Sequence, residues 1–461
     1  MHNYELEVPI SKKNDALVKN DKKCITCGYC KKVCENDITV ARMFEINPHR
    51  EPICINCGQC ANICPTEAIH ERFDYLKAKN ILHNKKDKIV TMSIAPAVRV
   101  ALAEEFGLEP GTNLEGKIAT SLKKLGADYA FDITFGADLT IMEEATELVD
   151  RIKNNKVLPM FTSCCPAWVK YAEIFYPELL PNLSTAKSPI TMQSTIIKTY
   201  FADKLKIKPN KIVNIVIAPC TAKKSEIKRQ ELSYTKKDTD YLLTTRELAM
   251  LLKEEKIDIN KLKPSKFDSP LGTGSGAGVI FGSTGGVCEA ALRTAYYLIT
   301  GKNLKKEDLN FTSIRGMNGI KEAEVNIDGK IIKVAVCNGM KNAKELIDKL
   351  LNKEVEYHFI EVMNCIGGCI AGGGQPKITL LNMSETKTDR MSSLYTEDEK
   401  ATLRLCHKNP EIKVIYNDFL EKPNSKLAHK LLHTKYKDKS YMLGGKRWQI
   451  LRNYQKIVKH V

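Results

Sequence analysis

The chain has 461 residues, of which 43% are hydrophobic and 27% charged. That length suits two to four domains of roughly 100–200 residues, and the composition excludes a collagen-like, wholly disordered or multi-span membrane protein. The formal charge is +16, from 71 Lys+Arg against 55 Asp+Glu, and a basic surface suits nucleic acid, an anionic membrane or an acidic protein partner.

No apolar run approaches the roughly 20 residues of a spanning helix. The start, Met1-His-Asn-Tyr4, has no secretory apolar stretch, so a cytoplasmic location is expected. In a reducing compartment the sixteen cysteines read as metal ligands or catalytic thiols rather than disulfides.

Eight cysteines fall before about residue 80. Cys24-Ile-Thr-Cys27-Gly-Tyr-Cys30-Lys-Lys-Val-Cys34 is repeated as Cys54-Ile-Asn-Cys57-Gly-Gln-Cys60-Ala-Asn-Ile-Cys64-Pro65. Three thiolates two residues apart wrap three corners of a cubane, and the fourth of each run reaches the other cluster. Cys24, Cys27, Cys30 and Cys64 are thus expected on one 4Fe–4S cluster, and Cys54, Cys57, Cys60 and Cys34 on the second. A zinc ribbon is the competing reading, although zinc needs no two runs of four. Either way the signal is generic: for clusters it means electron transfer.

A lysine-rich link (Lys77 to Lys88) leads into the apolar run Ile89–Ile94, a buried strand ending at Ala95-Pro96. To about residue 380, β-rich runs (Val157–Phe161, Ile212–Ile217, Ile332–Val336, Tyr357–Val362) alternate with helical stretches such as Ile141–Lys153 and Met340–Leu351. That alternation predicts α/β layers. Three runs stop at cysteine: Cys164-Cys165, Cys220 and Cys365. Open α/β sheets place ligands beyond the carboxyl ends of their strands, which predicts one shared cofactor. Spacing allows four ligands among Cys164, Cys165, Cys220, Cys365 and Cys369 for a further cubane, with one thiol to spare. Glycines around Cys369 let the backbone approach a bulky group, and Lys223 offers a donor to an anionic ligand. From about residue 390 a helical unit is expected (Ser392–Leu420, Ser425–His433). Residues 425–461 hold ten Lys/Arg and one acid, Asp438.

Three constellations carry a family resemblance. They are Thr162-Ser-Cys-Cys-Pro-Ala-Trp168, Ala218-Pro-Cys-Thr-Ala-Lys-Lys-Ser-Glu226 and Glu361-Val-Met-Asn-Cys-Ile-Gly-Gly-Cys-Ile-Ala-Gly-Gly-Gly-Gln-Pro376. The chain closely resembles the iron-only (FeFe) hydrogenases, over nearly its whole length. Leu394-Tyr395, His407-Lys-Asn-Pro410 and His429-Lys-Leu-Leu-His433 resemble that family's small-subunit segment.

The resemblance implies α+β and α/β architecture. A ferredoxin-like two-cluster module (1–80) precedes a two-lobed α/β H-cluster domain (88–385), a small-subunit-like helical segment (390–440) and a basic tail (441–461). It implies reversible reduction of protons to H2, with electrons from ferredoxin or flavodoxin as an acidic carrier. Maturation proteins would supply the two-iron unit with its CO, cyanide and azadithiolate. A cytoplasmic monomer binding neither nucleic acid nor membrane is expected.

Residue by residue, Cys165, Cys220, Cys365 and Cys369 match the ligands of the H-cluster cubane, Cys369 also bridging to the two-iron unit. Lys223 matches the donor to a cyanide. Pro96, Ala97, Ala218, Phe281 and Met363 match the cofactor's surround, and Cys164 matches the proton donor. Glu144, Glu147 and Arg151 fall on one helical face at i, i+3 and i+7; with Cys164 and Ser184 they match the family's proton relay. The alternative for such a face is a solvated, self-paired stripe.

The chain departs from the family pattern at several places. Ala218 and Cys288 stand where Met is common, Ala97 where Ser is, and Ile190 where Gln is. Asn364 and Ile366 flank Cys365 in place of small and Pro residues. Fewer polar or polarizable atoms around a cluster alter its potential, so a shifted balance between H2 evolution and uptake is expected. Gly272-Thr-Gly-Ser-Gly276 lacks the strand a dinucleotide site needs and reads as a loop against the cofactor. Cys337 and Cys406 read as core. The basic tail, with Trp448 and Leu451 too few for membrane binding, suits steering of an acidic carrier. The rival function is a non-catalytic hydrogenase-like iron–sulfur protein in cluster assembly or H2 sensing.

Overall fold

A computed structural model of the protein describes residues 6–43, 51–379 and 381–446. The strands among these residues are β1 (Leu17–Lys19), β2 (Ile69–Glu71), β3 (Ile89–Ile94), β4 (Tyr129–Asp132), β5 (Met160–Phe161), β6 (Ile212–Ala218), β7 (Tyr241–Thr244), β8 (Ile320–Ile327), β9 (Lys330–Asn338) and β10 (Phe359–Met363). They form three sheets, two of which frame the site.

In the N-terminal module β1 and β2 pair antiparallel, Leu17 opposite Glu71. The apolar core there is small: Val8, Ala16, Leu17, Ala61 and Ile69, with Cys60. So little burial cannot stabilise the segment alone, which is where metal binding would contribute to folding. The two cysteine loops share a backbone turn. Thr26 and Asn56 have φ 51° and 63°, and Gly28 and Gly58 have φ 81° and 73°. Left-handed residues let so short a loop curl about one centre.

The second sheet has the order β4-β3-β6-β7, all parallel. Its strand β6, IVNIVIA, is buried throughout, as parallel strands covered on both faces are. Asn214 in its middle is satisfied by Ser194 (2.9 Å), Thr91 (3.1 Å) and the Asp238 carbonyl (3.1 Å). The third sheet, β5-β10-β9-β8, is parallel except for the β8–β9 hairpin. Between the sheets runs the helix Ile133–Lys153, buried along most of its length. The result is a mixed α/β body behind a ferredoxin-like module.

Several elements differ from the sequence-based expectation. The run at 157–161 yields only Met160–Phe161 as strand, because Pro159 has no N–H for a ladder and Val157 is half exposed. The helix expected from Ile141 starts at Ile133, where the Asp132 carboxylate accepts from Thr134 N (2.9 Å). Gly136 hides that start in the sequence; its bare Cα lies under the Pro189 carbonyl. The helical unit expected from Ser392 is the helix Met383–Lys400 followed by shorter turns, the next helix opening at Pro410 behind the Asn409 cap. The glycine loop 272–276 packs against Thr134 and Asp398, not against the cofactor cavity. Of the basic tail, residues 447–461 lie outside the described residues.

Arg246 ties the N-terminal module to the body. It pairs with Glu71 (2.7 Å) and donates to the carbonyls of Gly373 (2.8 Å) and Gln375 (2.6 Å). Arg390 (to Glu104, 2.6 Å) and Asp398 (from Arg293, 2.8 Å) fasten the helix Met383–Lys400.

Candidate active site

The loops after β5, β6 and β10 deliver Cys164-Cys165, Cys220 and Cys365 with Cys369 to one cavity of about 820 Å³. Pro96, Ala97, Ala218, Lys223, Phe281 and Met363 also line it. Glycines close the loops around it: a Cβ on Gly372 would strike the Pro219 carbonyl, and one on Gly368 would lie 2.6 Å from the Thr284 N–H.

The donor set fits a cluster. Burial first, and then the neighbouring cysteines, raise the Cys220 thiol to about 12 and the Cys365 thiol to about 11. Such thiols ionise together only against a strongly cationic core. Among the described residues no group of three Cys, His, Asp or Glu closes tightly enough for one metal ion. Thiols spread around a cavity suit an iron–sulfur cluster better than a zinc ion. Cys165 precedes the helix Pro166–Phe175, whose dipole favours a thiolate there.

Lys223 reaches into the cavity wall, its ammonium donating to the Cys164 carbonyl (3.0 Å) and pairing with Glu226 (2.7 Å). Burial opposes its charge, but Glu226 outweighs burial and keeps it protonated. The Cys164 thiol is held well above its ordinary range, by burial first and then by Glu144. It therefore carries its proton.

Glu144 is fully buried, and neither of its oxygens completes a hydrogen bond of normal geometry. Burial, then the Glu147 carboxylate, raises it to about 8, although nearby Ser184 and Ser163 N–H favour its charge. The Ser184 hydroxyl donates to Glu147 (3.0 Å). Glu147 is gripped from the other side by Arg151 (2.7 Å). Arg151 also donates to the Leu183 carbonyl (2.9 Å) and to that of half-exposed Val157 (3.2 Å). The face expected as a possible solvated stripe is thus buried, and its groups run from the cavity wall toward the surface.

In the N-terminal module Cys34, Cys54, Cys57 and Cys60 line one smaller cavity. Cys24 and Cys27 stand near enough to Cys30 to raise its thiol further after burial. Cys64 lies beside the start of β2. Burial raises its thiol, but hydrogen bonds from Ile69 N–H and Thr66 outweigh burial and lower it. Cys57 faces both ways, lining the small cavity and the large one.

Of the departures from the family pattern, Ala97, Ile190, Ala218 and Asn364 line the large cavity. Cys288, expected on its wall, stands behind it, its backbone N–H donating to Glu361 (2.8 Å). Ile366 faces outward at 40% exposure. Cys337 and Cys406 are core residues.

Sequence reasoning missed a branch at Glu147. Thr185 donates to Glu147 (3.1 Å) and meets His433 Nδ1 (2.8 Å), whose Nε2 meets Glu143 (3.0 Å). Doublets at Glu143-Glu144 and Ser184-Thr185 were the available signal. It also missed Gln59, whose place between two cysteines of one run was the clue.

Comparison with known proteins agrees with this geometry. Residues 88–373 match the family described as iron only hydrogenase large subunit, C-terminal domain. Residues 384–439 match the iron hydrogenase small subunit, and residues 11–69 the 4Fe-4S dicluster domain. The chain is 42% identical to iron hydrogenase 1 of Clostridium pasteurianum, over 93% of this chain and 77% of that protein. It is 44% identical to the NADP-reducing hydrogenase subunit HndD of Solidesulfovibrio fructosivorans, over 95% and 76%. The solved [FeFe]-hydrogenase HydA1 of Chlamydomonas reinhardtii superposes with a TM-score of 0.70 at 40% identity, covering 79% of this chain and 99% of that one. Cytosolic iron-sulfur assembly component 3 of Mus musculus is more distant, at 30% identity over 80% and 79%.

The chain therefore belongs to the iron-only hydrogenases, enzymes that interconvert protons and H2. Within them it joins an N-terminal 4Fe-4S dicluster domain to large- and small-subunit segments in one chain. No helix among the described residues is long and apolar enough to cross a membrane.

Proposed function

We propose that this chain produces and consumes H2 at an H-cluster held by Cys165, Cys220, Cys365 and Cys369, with Cys164 as the proton donor. The observation that carries the reading is one cavity receiving four thiols from three loops, with a fifth, Cys164, beside them. The H-cluster, when bound, would supply the iron centre at which protons and electrons combine, and Lys223 would help hold it as a hydrogen-bond donor.

Every other task falls to side chains. Cys164 stays protonated because burial and Glu144 disfavour its thiolate. Glu144, near 8, both accepts and donates at neutral pH, as a relay member must. Ser184 donates to Glu147 and can turn its hydroxyl to accept from Glu144. Arg151 holds Glu147 oriented near the surface. The apolar wall of Pro96, Ala97, Ala218, Phe281 and Met363 excludes water, which strengthens electrostatics inside.

Electrons enter from an acidic carrier, a ferredoxin or flavodoxin. Cys24, Cys27, Cys30 and Cys64 would hold one 4Fe–4S cluster and Cys34, Cys54, Cys57 and Cys60 the other, which together would supply the redox relay from that carrier. Dedicated maturation proteins supply the two-iron unit. A purely cluster-holding role would not need Cys164, Lys223 and the buried acids.

Replacing Cys164 by Ser tests the assignment. The variant is expected to keep the infrared bands of CO and cyanide while turnover falls by more than about 100-fold, the scale of a lost acid–base catalyst. Full activity with intact bands would remove Cys164 from the mechanism.

A further inference from the structure

We propose that Gln59 is a positioning residue for electron transfer: through its hydrogen bond to Cys365 it sets the reduction potential of the catalytic cubane and joins that cubane to the nearer N-terminal cluster. The inference rests on the ligand assignment proposed above. Gln59 stands between Cys57 and Cys60, two thiols of the nearer cluster's cavity. Its Nε2 donates to Cys365 Sγ (3.2 Å) and to the Ala371 carbonyl (3.0 Å). Both N–H bonds of the amide are thus spent on the loop that delivers Cys365 and Cys369.

The surrounding contacts fix this reach. Asn62 donates to the Gly372 carbonyl (3.2 Å), and Thr221 donates to the Asn56 carbonyl (2.7 Å). A Cβ on Gly58 would strike the Thr221 hydroxyl, and one on Gly373 the Cys57 carbonyl. The two cysteine loops therefore meet backbone to backbone, and Gln59 is the side chain that spans them. Cys365 also accepts from Asn364 Nδ2, at a longer 3.5 Å.

A donor to a ligating thiolate favours the more negative, reduced form of the cluster and so raises its potential. A raised potential on the catalytic cubane draws the electron inward. One electron leaves the cluster on Cys34, Cys54, Cys57 and Cys60, one arrives at the cubane, and no bond is made or broken. Gln59 and Cys365 also line an open groove of about 1210 Å³ with Lys32, Lys387 and Arg390. Cys365 lines this groove as well as the cofactor cavity, so a fixed donor acts on it beside burial.

The test is Gln59→Leu, which keeps the bulk and removes both donors, in the anaerobic holoenzyme titrated potentiometrically with electron paramagnetic resonance. The cubane signal reports its midpoint whether or not the two-iron unit is loaded. Infrared bands of CO and cyanide report separately on the H-cluster reading. The expected result is a cubane midpoint shifted negative, the N-terminal midpoints unmoved, and ferredoxin-driven H2 evolution reduced more than H2 oxidation. An unmoved cubane midpoint overturns the proposal. Should the variant lose iron, unmutated enzyme carrying 15N in its glutamine side chains decides by pulsed resonance. A coupling of that nitrogen to the reduced cubane supports the assignment, and none refutes it.

Discussion

At the scale of single residues, the buried acid Glu144 has a consequence in both activity and stability. Its lowered acidity, with the pKa raised to about 8, means the folded protein keeps a proton that the unfolded chain releases near 4.5. The associated stability is full below about 4.5 and is lost as pH rises toward 8, at about 1.4 kcal/mol per tenfold in acidity. Glu144→Gln is expected to flatten that loss: between pH 6 and pH 9 the melting temperature of the variant should fall less than that of the unmutated protein. Turnover should nearly vanish, since an amide does not relay protons. Equal falls for the two proteins would mean Glu144 is already ionised. Ala218 and Ala97 carry a second expectation. Both line the cavity, so Ala218→Met with Ala97→Ser should change the ratio of H2 evolution to oxidation in protein-film voltammetry; a constant ratio would show that these positions do not set the bias. The thiols and the Glu144–Glu147–Arg151 spacing were legible in the sequence because they are local patterns. Thr185, His433 and Gln59 were not, because their partners lie 38, 248 and 306 positions away.

At the scale of elements, strand ends and helix starts place the chemistry. β6 was legible because IVNIVIA is an unbroken apolar run. β8, IKEAEVNI, was not, since an edge strand with one face to solvent carries charges between its apolar residues. The start of the helix Ile133–Lys153 was obscured by Gly136, whose value is tertiary: it admits the Pro189 carbonyl. Glycine at 372 has the same logic at the site. Gly372→Ala would drive a methyl into the Pro219 carbonyl, one residue before Cys220. Its expected effect is loss of catalytic-cubane iron with the N-terminal clusters retained, read by iron analysis and electron paramagnetic resonance. Full iron content in that variant would show the loop to be more yielding than its packing implies.

At the scale of the whole molecule, one ion pair and a charge imbalance govern assembly and partner choice. Glu71 is buried, yet Arg246 outweighs burial and holds it below the usual carboxylate range. A depressed carboxylate contributes stability above its ordinary value and loses it as pH falls through the folded one, so the N-terminal module should loosen in acid first. Arg246→Ala strands that carboxylate at a cost of about 3–5 kcal/mol, and limited proteolysis should release the module near neutral pH; resistance equal to that of the unmutated chain would argue against this anchor. The net charge of +16 predicts that KM for an acidic ferredoxin rises with ionic strength, because screening weakens steering, while turnover with a neutral dye changes little. The order of modules along the chain was readable from composition and motifs. How they sit together was not, since Glu71 and Arg246 are 175 positions apart and neither belongs to a motif.

The most direct measurement of the central claim is an infrared spectrum of the anaerobically matured protein, beside that of Cys369→Ser. The account predicts CO and cyanide bands in the first and their loss in the second, with the N-terminal cluster signals unchanged in both. Bands that survive in Cys369→Ser, or a fully iron-loaded parent without any, would contradict it.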